Sequence, residues 1–481
     1  MTTARVAVVG GGISGLAAAY RLRTLLGPAA EIVLLEGARR LGGALHTVEL
    51  GGLPFDVGAE AFLVRRPEAV GLVEELGLGS GLTHPTSAAP TVRAGGRVRP
   101  LPTRTVLGVP AAAGELAGLL TAPGLARLAA EPTMPLHWLP GQDAAVGALL
   151  RERAGDELVD RLVDPLLGGV YAGRADALGL RATLPAVATA LDGGAGSLLA
   201  AAAAVLAPAP AAGRARPAVF GTLHGGLGAL VDALVQASAV RLRVGCPVRG
   251  LARTSGGWRL ELGSASRPEY LLADAVLLAV PAPALRKLLA RPLPAAGAAA
   301  GRIDVASSVL VGLALPAVAG QALPQASGVL VASGERLSVK AFTFSGRKWA
   351  HARSEGVLLV RGSLGRHGEP QVLQRDDPEL VKLVRADLAA LTGVTAEPMD
   401  AVVARWGGGL PQYAPGHLDT VAAIEQAVAG EPGLAVAGAV LHGVGIPACI
   451  RTADAAARRL ARYLAPRLVA PDAARGASMG S

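Results

Sequence analysis

A glycine-rich turn between a buried strand and a helix near the N-terminus constrains this chain more than any other feature. Residues 6–9, Val-Ala-Val-Val, form an apolar run that is typical of a buried parallel strand. Gly10, Gly12 and Gly15 follow with the spacing G-x-G-x-x-G and open an Ala/Leu-rich helical segment that reaches Leu26. This spacing lets the chain turn, lets a diphosphate approach the backbone, and lets helix and strand pack closely. The stretch therefore predicts a βαβ unit whose helix N-terminus faces phosphate groups.

The next predicted strand ends in an acidic residue that bears on which dinucleotide is bound. Residues 31–35, Glu-Ile-Val-Leu-Leu, form a second buried strand, and Glu36 lies 21 positions after Gly15. A carboxylate at that distance suits the hydroxyls of a ribose and disfavours a 2′-phosphate. The residues alone therefore predict an unphosphorylated adenine dinucleotide, and they do not separate FAD from NAD.

A second glycine motif carries a resemblance to a known family. After Glu36, the residues Arg40, Gly42, Gly43 and Thr47 complete the pattern E-x-x-x-R-x-G-G-x-x-x-T. This pattern resembles the second glycine motif of the flavin amine-oxidase and protoporphyrinogen-oxidase superfamily, which continues along the diphosphate of the cofactor. The resemblance implies that the dinucleotide is FAD, bound non-covalently.

Three later motifs narrow the resemblance to the porphyrinogen oxidases. Residues 164–185 contain Pro-Leu-Leu-Gly-Gly-Val-Tyr-Ala-Gly and Leu-Gly-Leu-Arg-Ala-Thr-Leu-Pro, which resemble the PLL-G-YAG and L-S-L-x-A-T-x-P signature of that family. Residues 405–417 resemble its R-W-x-x-x-L-P-Q-Y-x-x-G-H segment, and residues 433–450 resemble its terminal flavin motif. On these motifs, and over about residues 5–465, the chain is identified as a member of the protoporphyrinogen/coproporphyrinogen III oxidase family.

The resemblance implies a reaction and leaves its substrate open between two porphyrinogens. The implied reaction removes six electrons from a porphyrinogen in haem biosynthesis, with hydride transfer to flavin N5, O2 as final acceptor and release of H2O2. Coproporphyrinogen III carries four propionates, whereas protoporphyrinogen IX carries two. A chain without an apolar segment of membrane-span length resembles the branch of the family that oxidises coproporphyrinogen III, and the frequent arginine favours the same substrate. Protoporphyrinogen IX is the alternative.

Two other functions are compatible with part of these sequence motifs. A flavin amine oxidase or carotenoid desaturase has the same N-terminal glycine motifs, but five Tyr and five Phe are few for an aromatic cage. A porphyrin-binding carrier that keeps FAD for structure alone is the non-enzymatic alternative. The sequence shows no Ser/His/Asp arrangement and no paired carboxylates that demand another mechanism. The flavin is therefore predicted to carry the chemistry, with no catalytic side chain and no metal ligand.

The ligand-binding residues follow from the same resemblance. The passage at 58–61 resembles a family segment near the flavin ring, and the helix N-terminus at 445–447 would stabilise a reduced, anionic ring. An arginine can donate two hydrogen bonds to one propionate, and a glycine lets a flat macrocycle approach the backbone. The predicted FAD-binding residues are Gly10, Gly12, Ile13, Ser14, Gly15, Glu36, Arg40, Gly42, Gly43, Gly58, Ala59, Glu60, Ala61, Val248, Trp406, Gly438, Gly445, Ile446 and Pro447. The predicted substrate-binding residues are Arg66, Arg104, Tyr171 and Gly173.

The composition of the chain limits the kinds of partner that the protein is predicted to bind. The net charge is +9, and the chain contains only four lysines and no asparagine. Frequent use of arginine in place of lysine on a solvated surface explains this net charge. The functional alternative is that the positive charge attracts an anionic substrate or an acidic membrane surface. Aromatic residues make up only 3%, too few for base-stacking platforms, so no nucleic-acid partner is predicted. Two cysteines exclude a disulfide framework, and Cys449 is predicted to pack within the flavin motif rather than to anchor the flavin.

The ends of the chain and its apolar segments bear on location. The first strand begins within five residues, which leaves no room for a signal peptide. No apolar stretch reaches the roughly 18 to 20 residues of a membrane span. A cytoplasmic protein is predicted, and peripheral contact with the inner face of the membrane stays open. A homodimer and transient docking with haem-pathway enzymes also stay open, beside the predicted porphyrinogen and O2.

The order of the predicted elements indicates an α/β fold with a discontinuous Rossmann-like FAD-binding domain, a mixed-sheet substrate domain and a helical subdomain, as in the amine oxidases. Strands at 241–244 and 275–281 would complete the sheet that begins at residue 6. Helices are predicted at 111–120, 124–130, 144–153 and 156–167, and the Ala/Pro-rich residues 194–216 predict a flexible excursion. The predicted boundaries are 1–88, 215–290 and 425–470 for the FAD-binding domain, 89–110 and 291–424 for the substrate-binding domain, 111–214 for the helical subdomain, and 471–481 for a disordered tail.

Overall fold

The computed structural model describes residues 4–206, 218–264 and 266–469. The predicted tail at 471–481 lies outside the described residues, and so do residues 207–216 of the predicted excursion. The strands are β1 (Arg5–Val9), β2 (Glu31–Leu35), β3 (Thr47–Leu50), β4 (Leu53–Asp56), β5 (Phe62–Leu63), β6 (Leu82–Thr83), β7 (Pro90–Ala94), β8 (Arg97–Pro100), β9 (Thr105–Val106), β10 (Val109–Pro110), β11 (Phe220–Leu223), β12 (Arg241–Arg243), β13 (Val248–Thr254), β14 (Gly257–Ser264), β15 (Arg267–Ala273), β16 (Ala275–Leu278), β17 (Val305–Pro316), β18 (Gly328–Val331), β19 (Val339–Phe344), β20 (Val357–Leu364), β21 (Asp400–Pro411) and β22 (Leu434–Val436). The helices are α1 (Ile13–Leu26), α2 (Pro67–Glu75), α3 (Ala122–Ala130), α4 (Val146–Ala154), α5 (Asp156–Leu158), α6 (Asp164–Tyr171), α7 (Leu180–Thr183), α8 (Pro185–Asp192), α9 (Leu198–Val205), α10 (Gly228–Ser238), α11 (Ala282–Leu289), α12 (Pro294–Ala300), α13 (Ser345–Lys348), α14 (Asp377–Thr392), α15 (His417–Ala429) and α16 (Ile446–Val469).

A five-stranded parallel sheet receives the N-terminal glycine motif. Its strand order is β12-β2-β1-β16-β22, so β1 lies between its sequence neighbour β2 and the distant strand β16. The edge strands β12 and β22 also come from distant parts of the chain and pair in parallel. The sheet is therefore assembled from separated segments, with a glycine loop after its first strand.

Alternate side chains of this sheet enter two hydrophobic clusters. Val6 and Val8 pack with α1, α10 and α16 on one face. Ala7 and Val9 pack on the other face with α11, α12, α15 and the antiparallel sheet β13-β14-β15. Because both faces are covered, these strands are continuous apolar runs rather than alternating ones. The predicted α/β class with a Rossmann-like sheet is confirmed.

A second sheet has seven strands in the order β21-β17-β20-β19-β18-β7-β8. Only the pairing of β18 with β7 is parallel, which makes the sheet mixed, as predicted. One face packs against α14 through Val360, Phe342 and Val384. On the other face, Leu310 and Leu359 pack against Phe55 of the β3-β4 hairpin. The same face continues towards α6, which packs on β18 and β19.

The region between the two sheets is helical, with two departures from the predicted elements. The helix predicted at 111–120 is wrong, because Ala113–Leu116 forms a single 3-10 turn and Gly118 has a φ of +82°. The buried side chains of this segment, Leu116 and Leu120 among them, reach their cluster from a loop instead. The predicted excursion contains α9, whose start is capped by Ser197 and whose Leu198 is buried, so flexibility does not describe that part.

Among the helices of the described residues, none is both long enough and apolar enough to cross a membrane.

Candidate flavin and substrate site

The first glycine loop follows β1 and begins α1. Gly10 has a φ of +105°, and a Cβ there would overlap the carbonyl oxygen of Ala279. A Cβ on Gly15 would overlap the carbonyl oxygen of Gly10, so that glycine allows helix and strand to touch. A Cβ on Gly12 would meet nothing closer than a backbone carbon 3.8 Å away. The loop therefore leaves space only at its middle glycine, in front of the N-terminus of α1, which suits a diphosphate.

The second glycine loop lies against the first. The Gly42 nitrogen donates to the Gly11 carbonyl oxygen at 2.8 Å, and Gly12 and Gly42 form an isolated parallel bridge. Gly43 lies opposite Gly12, where a Cβ on Gly43 would come within 3.0 Å of the Gly12 Cα. We name residues 10–15 and 42–43 the two-loop cradle. It brings together the glycines of both predicted motifs, with Ile13 and Ser14 buried at the start of α1.

Glu36 lies at the carboxyl end of β2, beside the two-loop cradle. Its carboxylate accepts hydrogen bonds from the Gly11 nitrogen at 2.6 Å and the Ala38 nitrogen at 2.7 Å. These donors fix the carboxylate at the edge of the sheet, where a ribose is expected in folds of this class. Val248 opens β13 and is half-buried against the same cluster as β2. The predicted ribose-binding and adenine-side residues thus lie at one end of the parallel sheet.

Arg40 and Trp406 join the cradle to the seven-stranded sheet. The guanidinium of Arg40 donates to the Gly43 carbonyl oxygen at 2.8 Å and lies 5.3 Å from the centre of the Trp406 ring. Trp406, on β21, donates from its indole nitrogen to the Val57 carbonyl oxygen at 2.9 Å. Burial lowers the pKa of Arg40. Both predicted residues therefore lie between the cradle and the 58–61 passage.

The 58–61 passage contains a carboxylate that pairs with two cations, which the glycine motifs do not predict. Gly58 packs against the Ala44 carbonyl, and the Ala59 nitrogen donates to that oxygen at 2.8 Å. Glu60 forms ion pairs with Lys348 and with Arg361, whose guanidinium lies 3.5 Å from the carboxylate. Burial favours the neutral acid, but the two cations lower the pKa of Glu60 below its usual value.

Lys348 and Arg361 are missing from the predicted site. Both belong to short basic segments of the sequence, 345–349 and 361–366, which is the signal that could indicate them. Arg361 also donates to the Asp56 carbonyl oxygen at 2.8 Å, which fixes the strand before the passage. The half-buried Ala61 completes the passage.

The C-terminal motif meets the start of α1. Gly438, after β22, has a φ of +119°, and a Cβ there would lie 3.5 Å from the Ser14 hydroxyl. The Gly438 nitrogen donates to Thr452 on α16 at 3.0 Å. Gly445, Ile446 and Pro447 form the N-terminal end of α16, which packs along α1. Two helix N-termini from opposite ends of the chain therefore flank one space, as two partial positive charges.

Cys449 lies in the first turn of α16 and is buried. Burial raises the pKa of its thiol to about 11. The sulfur is therefore protonated at neutral pH, and a protonated thiol is a poor nucleophile. A protonated, buried thiol fits the predicted non-covalent binding of FAD.

The predicted substrate residues do not form one group. Tyr171 ends α6, is buried, and has its pKa raised to about 12 by that burial. A Cβ on Gly173 would overlap the side-chain oxygen of Gln412, so this glycine makes room for Gln412 rather than presenting open backbone. Arg104 pairs with its own neighbour Glu115 at 3.1 Å, and Arg66 is exposed at the start of α2.

A second charged group lies where α6 meets the seven-stranded sheet. Asp164 is almost fully buried and accepts from the Ala175 nitrogen at 2.8 Å. Its other oxygen lies 3.1 Å from the guanidinium of Arg366. Lys340, on β19, donates to the Gly365 carbonyl oxygen at 2.8 Å and is 8% exposed. The sequence patterns missed this group, because its members lie on α6, on β19 and after β20.

A cavity of about 290 Å³ lies between the β3-β4 hairpin, β11 and the segment after β19. Asp56 and Glu60 line it together with His224 and His351, whose rings are 5.0 Å apart. Burial raises the pKa of Asp56 to about 6, although Thr47 and the Leu227 nitrogen donate to its carboxylate. Within the described residues, no cluster of His, Cys, Asp and Glu has the size of a metal site.

Comparison with known proteins adds the family. A model of the flavin containing amine oxidoreductases matches residues 13–461. Coproporphyrinogen III oxidase of Mycobacterium leprae is 46% identical over 460 residues, which cover 96% of this chain and 99% of that protein. Coproporphyrinogen III oxidase of Bacillus subtilis is 30% identical, over 95% of this chain and 98% of its own.

A crystal structure from Exiguobacterium sp. 255-15, of a protein provisionally named protoporphyrinogen oxidase, superposes with a TM-score of 0.82 at 30% identity. It covers 96% of this chain and 99% of that one. The family likeness confirms FAD as the cofactor, and the two-loop cradle with Glu36 provides groups that fit it. The chain therefore belongs to the flavin containing amine oxidoreductase family, among the protoporphyrinogen and coproporphyrinogen III oxidases.

Proposed function

We propose that this protein oxidises coproporphyrinogen III to coproporphyrin III in haem biosynthesis, with FAD as cofactor and O2 as final acceptor. The observation that carries the proposal is the 46% identity to a coproporphyrinogen III oxidase over 96% of this chain, which also has both loops of the cradle. Each porphyrinogen gives up six electrons and six protons, and three O2 become three H2O2. FAD, held by the two-loop cradle and Glu36, would supply the hydride acceptor for this oxidation.

The protein binds and orients the cofactor through groups already in place. Backbone N–H groups at the start of α1 and the open side of Gly12 receive the diphosphate, and Glu36 accepts hydrogen bonds from ribose hydroxyls. The passage at 58–61, fixed by Ala44 and Arg361, orients the ring. The N-terminus of α16 carries a partial positive charge that would stabilise negative charge on a reduced flavin. No described side chain is assigned as a base, because pyrrole protons can leave to solvent.

Arginine and lysine near the seven-stranded sheet favour the more highly charged of the two porphyrinogens. Lys340 and Arg361 lie on the neighbouring strands β19 and β20, and Arg366 follows β20. A substrate with four propionates uses more such cations than one with two. Steady-state kinetics with both porphyrinogens test this preference. We expect the higher kcat/KM for coproporphyrinogen III, and an equal or higher value for protoporphyrinogen IX would reverse the assignment.

Protoporphyrinogen IX is the second candidate, and the provisional name of the Exiguobacterium protein favours it. A porphyrin carrier with structural FAD differs from both enzymes in one respect. Anaerobic mixing with either porphyrinogen reduces the flavin of an oxidase and leaves the flavin of a carrier yellow.

The proposed setting is cytoplasmic, with peripheral contact at the inner membrane face, a homodimer, and transient docking of other haem-pathway enzymes. Light scattering of the purified protein tests the homodimer, and partition of the protein between soluble and vesicle fractions of acidic lipid tests the membrane contact. A monomer that stays soluble at all lipid concentrations would overturn both of these proposals.

A further inference from the structure

Lys340 occupies an irregular position in the seven-stranded sheet. On β19, Val339 pairs with Leu364 and Ala341 pairs with Ser363, so Lys340 is an extra residue without a partner on β20. A bulge of this kind changes the direction of one side chain. Val339 and Phe342 pack towards α14, whereas the Lys340 amine reaches the Gly365 carbonyl oxygen at the end of β20. The bulge therefore delivers a lysine to the region beside α6.

The amine is poorly satisfied by the protein. A lysine ammonium has three donors, and the one hydrogen bond of Lys340 goes to Gly365. No carboxylate of residues 4–206, 218–264 or 266–469 lies within 4.0 Å of the amine. Burial lowers the pKa of Lys340 to about 7, with Arg366 and Arg361 acting in the same direction and Glu369 against them. A buried cation without an anionic partner is unfavourable unless a ligand supplies one.

The neighbouring charges leave an excess of positive charge. Arg366 is paired with Asp164, and Arg361 is paired with Glu60, so these carboxylates are engaged elsewhere. Glu369 is ion-paired with Arg174 at 2.8 Å. Lys340 is the member of the group left without a carboxylate among the described residues, and an anion beside its protonated amine would also be attracted by Arg366 and Arg361, which both act on the pKa of this amine.

The position of this group matches the segment expected to face the substrate. The Arg366 guanidinium would lie 3.4 Å from a Cβ on Gly168 of α6. The nitrogen of the next residue, His367, donates to the Ala172 carbonyl oxygen at 2.6 Å. The Gly168–Gly169 pair of α6 and the loop after this helix belong to the 164–173 motif. The Lys340 amine thus lies beside the 164–173 motif, whose glycines are predicted to let a flat macrocycle approach the backbone.

We propose that Lys340, flanked by Arg366 and Arg361, binds a propionate carboxylate of the porphyrinogen. The inference rests on the proposed function and names a residue that determines substrate affinity. A carboxylate offers up to four acceptor sites, enough for the free donors of the amine and a guanidinium. Since the amine is not needed for hydride transfer, its contribution is to binding rather than to the chemical step.

The test compares Lys340→Met with Lys382→Met in the holoenzyme. Lys382 is exposed on α14, on the other side of the sheet, so it serves as the matched control. We expect Lys340→Met to raise KM for coproporphyrinogen III about 10-fold or more with little change in kcat, because one charge-assisted contact is lost. Dissociation constants from porphyrin fluorescence should rise equally for coproporphyrin III and stay unchanged for its tetramethyl ester. Lys382→Met should match the wild type throughout.

Flavin absorbance and thermal unfolding monitor folding, and Lys340→Met should be at least as stable as the wild type because a buried amine is removed. If Lys340→Met does not fold, Lys340→Arg takes its place, and retained affinity for the free acid over the ester supports the proposal. An unchanged KM and Kd in Lys340→Met, or a lower kcat at unchanged KM, overturns the propionate role. In each of these cases the wild type still oxidises the substrate. A wild type that holds FAD and oxidises no porphyrinogen would instead overturn the proposed function.

Discussion

The two-loop cradle and the charged group beside α6 are built on different principles. In the cradle, backbone atoms of Gly10, Gly15 and Gly42 touch other backbone, so each position accepts only glycine. Beside α6, the side chains of Asp164, Lys340 and Arg366 meet across elements far apart in the chain. Gly10, Gly15 and Gly42 of the cradle have no room for an added side-chain atom, whereas the group beside α6 requires its positive and negative charges to balance. The two regions should therefore respond differently to substitution.

The largest effect is expected in the cradle. Gly15→Ala places a methyl group onto the Gly10 carbonyl oxygen and should destabilise the protein by about 5 kcal/mol or more, or prevent folding. Gly12→Ala is the matched control, because its methyl group meets no atom within 3.8 Å. We expect Gly12→Ala to fold with apoprotein stability within about 1 kcal/mol of the wild type and to bind FAD more weakly. Urea unfolding and FAD titration of the apoproteins measure both quantities, and a stable Gly15→Ala would refute the close packing.

In the charged group, a substitution should act by leaving one charge without its partner rather than by a steric clash. Asp164→Asn keeps the acceptor for Ala175 but leaves Arg366, whose side chain is 11% exposed, without its charged neighbour. Breaking such a buried pair costs about 3 to 5 kcal/mol, and removing both charges costs less. Urea unfolding at fixed FAD concentration should therefore show Asp164→Asn less stable than the double variant Asp164→Asn/Arg366→Met. Simple additivity of the two single substitutions would contradict the coupling.

Asp56, at the end of β4, extends the comparison to the effect of pH on stability. Its folded-state pKa of about 6 exceeds the ordinary value of 3.8, so the folded state binds the proton more tightly. Stability from this group is therefore greatest below pH 4 and falls as the pH rises through 6, by about 3 kcal/mol in total. Asp56→Asn should remove this decline, which urea unfolding between pH 4 and 7 would measure. An unchanged pH dependence in the variant would assign the decline to another group.

The smallest effect is expected at the ribose end of the cradle. Glu36→Gln keeps the side-chain size and removes the charge, so FAD affinity should fall about tenfold. FMN lacks the adenosine ribose, and its affinity should therefore stay the same in the variant. Quenching of flavin fluorescence on addition of apoprotein measures both affinities. Equal losses for FAD and FMN would place the role of Glu36 in loop structure instead.

The same contrast explains what the sequence could predict. Gly10, Gly12, Gly15 and Glu36 have fixed spacing because one βαβ unit requires them, and the structure brings them together as expected. The sequence also indicates that strands far apart in the chain share one sheet, since continuous apolar runs at 6–9 and 275–278 are typical of a parallel sheet. A helix at 111–120 was not distinguishable from a loop by its apolar residues, because buried leucines occur in both.

The substrate side gave fewer signals because side-chain contacts there span long separations. Arg104 lies near a motif in the sequence, and its guanidinium pairs with Glu115. Gly173 is predicted to face a macrocycle, and a Cβ at this position would overlap the side-chain oxygen of Gln412. Lys340 carries no local pattern at all, because the bulge that directs it depends on pairing with β20. Such contacts become visible only once the sheet is assembled.

The most direct test of the account is anaerobic mixing of the purified flavoprotein with coproporphyrinogen III, followed by its absorption spectrum. We predict that the yellow of the oxidised flavin disappears as porphyrin absorbance rises, and that later admission of O2 restores the yellow with formation of H2O2. A flavin that stays oxidised, with no porphyrin formed, would contradict the assignment of this chain as a porphyrinogen oxidase.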